Sequence, residues 1–403
     1  MRFLFCSLTS HGFVYPAIGI AKTLRQRGHE IAFVTGHAFS ESLKQAGFKR
    51  IPCTVKDSPS FQVQTWGEPL AVAMQVKHLE YALDHFAPDV LVGHQLTLGP
   101  LITGEHYSLP VAVLGLAAYL WPACKSLLER PSSSESEERL VWRYGDMMKH
   151  YNRVRELFRL PLSHANYRET PLLSDLFLLQ SVPELEGDVD ALPGRVHLIG
   201  SCFWEPPLFD AELACWLKEP SASAKPVIYV QVGRSFQDPS FWPHLIDALK
   251  NRPVRVIASI GRMDAEAGAI PENFFIRNHV PQGLVLPQAR AVISSGHTTS
   301  VLGGLTHGLP SLLIPQGSGT EDIAEHCQRA GAAICLSPSE VTAEMLEQAV
   351  KTLLNCPNLQ QNAQILQQAF AKMNGLERAA ELLELLAVTR RPVLRQMCVP
   401  YSG

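Results

Sequence analysis

Apolar residues recur along this chain in short runs, each followed by a stretch whose apolar positions repeat at helical spacing. Phe3–Leu8 is the first run, as a parallel strand buried on both faces would read. From Pro16 onward, Ile18, Ile20, Ala21 and Leu24 fall on or near one helical face, and Gly28 after Arg25 and Arg27 marks a stop. Ile31–Val34 is a second strand, Ser40–Gln45 a second helix stopped at Gly47, and Ile51 opens a third strand. Strand and helix alternating at this cadence predict a doubly wound parallel sheet. The pattern resumes with strands at Asp89–Val92, Leu109–Leu114, Leu176–Leu179 and Val196–Ile199. Between Leu116 and Thr170 it turns irregular and helical, and the polar stretch Pro131–Glu138 reads as an exposed loop.

A second series starts at Val227. Val227–Val232, Val254–Ser259, Phe274–Ile276, Ala291–Ile293 and Ser311–Ile314 read as strands. Phe241–Leu249, Val341–Cys356 and Asn358–Met373 read as helices. The expected class is therefore α/β, with two facing Rossmann-like domains, each on a parallel sheet, and an interdomain cleft. The expected boundaries are 1–204 for the first domain, 205–225 for a linker and 226–385 for the second domain. A tail at 386–403 would cross back to the first.

Composition narrows the partners. The 403 residues carry 35 Lys+Arg against 38 Asp+Glu, a formal charge of −3, so no bulk basic field draws nucleic acid or anionic membrane. Apolar residues make 46% and charged residues only 18%, which implies much buried surface. The uncharged stretches Val111–Cys124 and Ala291–Thr320 are too short or too polar to span a bilayer. The apolar start is too short for a signal peptide. Nine cysteines without paired spacing argue against a disulfide framework or zinc ribbon. A cytoplasmic monomer or homodimer is expected.

In a parallel α/β sheet ligands sit beyond the carboxyl ends of the strands. The most informative such loop follows Ile293: Ser294-Ser295-Gly296-His297-Thr298-Thr299-Ser300. Small hydroxylated residues and a glycine there open a helix whose first-turn amides suit an anion, most naturally a phosphate. A plain N-cap by Thr298 or Thr299 accounts for the same residues. Asp188-Val189-Asp190 is the one Asp-x-Asp; it lies far in sequence from that loop and reads as a solvated turn. No metal site is expected.

The order strand, Gly-His-Thr-Thr-Ser, helix, Gly308-Leu309-Pro310, strand, Pro315-Gln316, with His279-Val280-Pro281-Gln282 upstream, resembles the nucleotide-sugar half of the GT-B glycosyltransferases. It is most similar to the bacterial natural-product members of the family that includes the plant UDP-glycosyltransferases. A Gly12 loop, Pro16 and a helix closing on Arg27-Gly28-His29-Glu30 fit the other half. The resemblance implies an inverting, metal-independent transfer from a UDP- or TDP-sugar to a small hydrophobic acceptor, with no further cofactor. It implies donor contacts from Gly233, Arg234, His279, Val280 and Gln282. It further implies that Ser295, Gly296, His297, Thr298, Thr299 and Ser300 receive the diphosphate. Gly319, Thr320 and Glu321 would hold sugar hydroxyls, with Asp322 the neighbouring carboxylate.

The departures concern the acid–base groups. The family's usual histidine base, three residues before the proline, is Phe13 here, and its usual carboxylate partner is His94. The histidine that normally opens the diphosphate loop is Ser295, and a carboxylate that usually holds the ribose is Gly303. Either His94 or His11 acts as base, or the acceptor needs little help because it is a phenolate or carboxylate, or the chain binds without catalysing. A sugar-nucleotide epimerase or hydrolase on the same scaffold is a further alternative. Phe13, Phe61, Trp66, Tyr119, Trp121 and Trp142, with Met147 and Met148, are the candidate walls of an apolar acceptor pocket; each also suits a core position.

Overall fold

The computed structural model describes all residues except 53–58, 124–131, 133, 165, 209, 219–224, 234, 235, 237, 239, 261–269, 318 and 396–403. The chain divides into two units. Unit 1 is Met1–Pro206 with the chain from Met373 on, and unit 2 is Pro207–Lys372. Each is built on one parallel sheet, so the expected α/β class stands.

Unit 1 carries seven strands: β1 (Arg2–Cys6), β2 (Glu30–Val34), β3 (Lys49–Arg50), β4 (Val90–His94), β5 (Val111–Leu114), β6 (Leu176–Leu179) and β7 (Val196–Leu198). Their order is β3-β2-β1-β4-β5-β6-β7, with every pair parallel. Alternation along β1 sends Phe3 and Phe5 to one face and Leu4 and Cys6 to the other. The first face is covered by helices His11–Gln26 and Gly375–Thr389, through Ile18, Leu24, Leu382 and Leu386. The second is covered by helices Pro69–Phe86, Gly99–Tyr107 and Glu135–Leu157, through Val76, Ile102 and Tyr151. Both faces being apolar explains why the strands read as runs rather than alternations.

Unit 2 carries β8 (Val227–Gln231), β9 (Arg255–Ser259), β10 (Phe274–Arg277), β11 (Ala289–Ser294), β12 (Ser311–Leu313) and β13 (Ala333–Cys335), in the order β10-β9-β8-β11-β12-β13. The strand order reverses between β1 and β4 in unit 1 and between β8 and β11 in unit 2. Successive crossovers diverge there, which opens a crevice at the carboxyl ends. No helix among the described residues is long and apolar enough to cross a membrane.

Several details differ from the sequence reading: the third strand is Lys49–Arg50 and ends before Ile51, where it was expected to open. The first helix begins at His11, with Pro16 in its interior rather than at its start. Helix Glu135–Leu157 begins inside the stretch read as a polar loop. Ser134 accepts from the Glu137 amide at 3.3 Å, and Glu135, Glu137 and Glu138 occupy the first turn, a Ser-x-x-Glu start. The segment read as a linker contains helix Ala211–Leu217, capped by Asp210, which buries Leu213 and Leu217 in the core of unit 2. Finally, residues 375–385 belong with unit 1 rather than with the second domain.

Helix Gly375–Thr389 is held in place by shape and charge. A Cβ on Gly375 would overlap the Ser201 carbonyl, so only glycine allows this approach. Arg27 donates to both Glu384 oxygens at 2.9 and 2.7 Å and to Glu377 at 3.0 Å, and His29 Nε2 lies 2.6 Å from Glu384. The Arg27 hydrogen bond, above all, pushes the Glu384 carboxyl down from 4.5 to about 2. A carboxyl held below its unfolded value adds stability that is fully present above about pH 4.5 and is lost as pH falls toward 2. Glu384→Gln should therefore lower the urea midpoint at pH 7, and its deficit relative to the parent should shrink between pH 4.5 and pH 3. A deficit of equal size at pH 7 and pH 3 would exclude this role.

Candidate functional site

In unit 2, the loops after β8 and β11 meet. Gly233 follows β8 at φ +78°, and a Cβ there would stand 2.9 Å from the His297 ring. Ser295 donates from Oγ to the Val232 carbonyl at 2.5 Å, which ties the second loop to the first. Ser294 Oγ accepts from the Gly296 amide at 3.1 Å and lies 2.6 Å from Ser300 Oγ. Gly296 turns at φ +79°, and a Cβ on it would lie 2.8 Å from the Thr320 carbonyl. The start of helix Thr298–Thr306 and the start of helix Thr320–Arg329 thus come together at Gly296. Neither N-cap residue, His297 or Gly319, makes a side-chain cap bond. Each N-terminus carries roughly half a positive charge, so the spot favours an anion. Burial pushes His297 down from its ordinary range, so it stands beside Gly233 as a neutral imidazole rather than as a cation.

The remaining donor candidates divide. Thr298 and Ser300 are buried and Thr299 is half-buried in the first turn. Gly319, at φ +87°, precedes the second helix, and Thr320 Oγ1 donates to the Gly317 carbonyl at 2.6 Å. Glu321 is exposed, whereas Asp322, beside it, is buried. His279 is exposed. The Val280 amide donates to Ser259 Oγ at 3.3 Å and its carbonyl accepts from Tyr229 at 3.4 Å, so that backbone is already engaged. Gln282 is buried, with Oε1 only 2.5 Å from where a Cβ on Gly303 would stand. Its amide therefore fills the space that a side chain at 303 would take. Arg234 lies outside the described residues.

In unit 1, Phe13 sits in the first turn of helix His11–Gln26, and its ring stacks on His94 at the carboxyl end of β4. The centroids are 3.8 Å apart and the planes tilt by 30°. His94 is only 2% exposed, and among the described residues neither ring nitrogen has a hydrogen-bond partner. Burial alone pushes its pKa down to about 3. The Phe13 face would stabilise an imidazolium by about 0.5–2 kcal/mol, less than the several kcal/mol that desolvating an unpaired charge costs. Neutral imidazole wins. His11 is exposed, with edge contacts to Tyr15 at 5.0 Å and Phe39 at 5.1 Å. At about 100° per residue it points to the opposite side of the helix from Phe13.

The acceptor candidates also scatter. Phe61, Tyr119 and Trp121 are buried, Tyr119 lying 6.0 Å from Phe177 and Trp121 lying 6.5 Å from Tyr144. Tyr119 Oη and Trp121 Nε1 have no hydrogen-bond partner among the described residues. Trp66 is half-buried against His150. Trp142 is 66% exposed on helix Glu135–Leu157. Sequence reasoning placed Ser294 in this loop without giving it a donor role, and it did not foresee the burial of Asp322. A separate pocket of about 350 Å³ opens at the amino ends of β5 and β6, between Val111, Asp175 and Arg195, at the far end of the sheet from His94. Among the described residues no group of three His, Cys, Asp or Glu is placed to hold a metal ion.

Comparison with known proteins agrees with this geometry. Residues 8–107 match the glycosyltransferase family 28 N-terminal domain, and residues 244–385 match the erythromycin biosynthesis protein CIII-like C-terminal domain. The chain is 25% identical to the 4'-demethylrebeccamycin synthase of Lentzea aerocolonigenes, over 95% of this chain and 99% of that one. It is 24% identical to the oleandomycin glycosyltransferase of Streptomyces antibioticus, over 94% and 89% of the two chains. Among solved structures, the kitacinnamycin glycosyltransferase aligns with a TM-score of 0.75 at 21% identity, over 95% of this chain and 98% of that one. The spinosyn forosaminyltransferase aligns with a TM-score of 0.76 at 17% identity, over 96% and 99%. With both halves matched in order along the chain, and a phosphate-suited loop at the switch point of the second sheet, the protein belongs to the GT-B glycosyltransferases of the bacterial natural-product type.

Proposed function

We propose that this enzyme moves a sugar, with inversion and without a metal ion, from a UDP- or TDP-sugar held by unit 2 to a small hydrophobic acceptor held by unit 1. The convergence of two helix starts at Gly296 carries the reading. Displacing a nucleoside diphosphate builds negative charge on its phosphates, and fixed amides with the hydroxyls of Thr298, Thr299 and Ser300 would stabilise that charge without reorganising. Two partial helix charges would do the work that a divalent cation does elsewhere. Natural-product transferases among the relatives support a small-molecule acceptor. The described free cysteines Cys202, Cys215, Cys327, Cys335 and Cys356 suit a reducing cytoplasm.

Thermal melting with UDP, TDP, GDP and ADP tests the donor side. A nucleotide at a hundredfold excess over its Kd adds about 2.7 kcal/mol, which should raise the melting temperature with UDP or TDP. Loss of all four shifts would remove the reading. Gly296→Ala places a Cβ against the Thr320 carbonyl at a φ that costs a non-glycine residue about 1–2 kcal/mol. It should weaken the same nucleotide by at least about tenfold. Full binding by that variant would mean that the phosphates lie elsewhere.

A further inference from the structure

The pocket at the amino ends of β5 and β6 lies wholly within unit 1, at the end of the sheet opposite to the one where parallel α/β folds place their nucleotides. Its volume of about 350 Å³ equals that of about ten waters, more than a bare ion fills and enough for a small metabolite. Two guanidiniums line it. Arg195 donates from Nη1 to the Ser174 carbonyl at 2.8 Å, Arg390 donates from Nη2 to the Ser108 carbonyl at 3.4 Å, and neither forms an ion pair among the described residues. Two carboxylates line it as well. Glu105 is taken up on both oxygens by Arg155, whose guanidinium also donates to Tyr151 Oη at 3.0 Å. Asp175 accepts the Val111 amide on Oδ2 at 3.0 Å, and its Oδ1 makes no hydrogen bond among the described residues. With Glu105 balanced by Arg155, the pocket sets two positive charges against one negative.

The chain around these groups is held in place. Ser174 stands at φ +48° and ψ −143°, a conformation that favours glycine, and its amide donates to the Pro171 carbonyl at 3.0 Å. Arg390 closes helix Gly375–Thr389 at φ +50°, and the residues beyond it are tied to the pocket's rim. Val393 donates its amide to the Asp175 carbonyl at 2.9 Å, and its own carbonyl lies 3.0 Å from His197 Nε2. The Arg395 amide donates to the Gly194 carbonyl at 2.9 Å. A backbone fixed in this way lowers the cost of ordering the site around a ligand. We propose that the pocket binds a small hydroxylated oxyanion, of the class of sugar phosphates and hydroxy acids. Arg195 and Arg390 donate to the anionic oxygens, a pairing that the planar guanidinium favours for phosphate and carboxylate alike. Asp175 Oδ1 accepts from a ligand hydroxyl. A neutral sugar lacks the first contact, and a bare phosphate lacks the second. The assignment does not rest on the glycosyl-transfer reading, since every residue it uses belongs to unit 1 and none lies at the carboxyl ends of the strands.

Calorimetric titration of the full chain at pH 7 tests this with glucose 6-phosphate, gluconate, inorganic phosphate and glucose as probes. The expected result is saturable binding of one equivalent of glucose 6-phosphate or of gluconate. That binding should be at least about tenfold tighter than for inorganic phosphate, the worth of one added hydrogen bond, and glucose should not bind. Binding of the first alone identifies the anion as a phosphate, and of the second alone as a carboxylate; either supports the assignment. Arg390→Ala removes an exposed side chain held by one 3.4 Å bond, so its melting temperature should hold while the bound probe weakens by about tenfold or more. Arg195→Gln should weaken the same probe by a similar factor. Binding undiminished in both variants places the anion elsewhere on the protein and overturns the assignment. Inorganic phosphate bound as tightly as the organic anions would mean an adventitious ion only, and overturns it too. So does glucose bound as tightly as either anion, or no binding by any of the four. The nucleotide melting shifts are read separately, so failure here leaves the donor reading standing.

Discussion

At the end of β11 the chain turns through Gly296 at φ +79°, and the Thr320 carbonyl passes so near that no Cβ fits between them. Gly233, after β8, lets the His297 ring lie against its backbone in the same way. These two close approaches set the spacing of the whole donor end. They bring two helix starts to one point, and the Ser294–Ser300 and Ser295–Val232 hydrogen bonds lock the loops there. Hydroxyls bonded to their own backbone are not lost to a ligand, since each oxygen keeps acceptor or donor capacity. What they gain is a fixed position, which is the condition for stabilising charge without reorganisation.

The two units manage charge in opposite ways. Unit 2 gathers partial positive charge from its backbone, and its one imidazole at the loop, His297, is held neutral by burial. Unit 1 places His94 at the end of β4. Its imidazole is neutral too, and its neighbour is an aromatic ring. A transferase needs help at the leaving group whenever the phosphates depart as an anion. It needs help at the nucleophile only when that group is un-ionised.

Much of the fold was legible because both sheets are parallel and buried on both faces, so their strands announce themselves as apolar runs. The Leu176–Leu179 strand and the Phe241–Leu249 helix have the bounds that the pattern implies. β13 went unread, since Ala333-Ile334-Cys335 is too short and too weakly apolar to stand out. The domain boundary failed for a different reason. Helix Gly375–Thr389 has the same apolar period as the helix before it, and nothing local says which sheet it covers. Arg27, Glu384 and the closeness of Gly375 to the Ser201 carbonyl decide it, and these pair residues hundreds of positions apart.

The site was legible in its parts and not in their arrangement. The hydroxyl-rich loop was found because a helix start after a strand has a local signature. The pairing of Phe13 with His94 has none, and it depended on where the first helix begins. A proline at position 16 suggests a helix opening there, since proline is favoured in the first turn and disfavoured beyond it. The helix instead starts at His11 and accommodates Pro16 in its second turn, where the missing amide removes one hydrogen bond to Gly12. That early start turns Phe13 from a loop residue into a helical one with a fixed direction. It also separates His11 from Phe13 by more than half a turn of helix, so the two cannot serve one spot. Had the helix begun at Pro16, His11 and His94 would have remained equal candidates; with the start at His11, only His94 lies beneath Phe13.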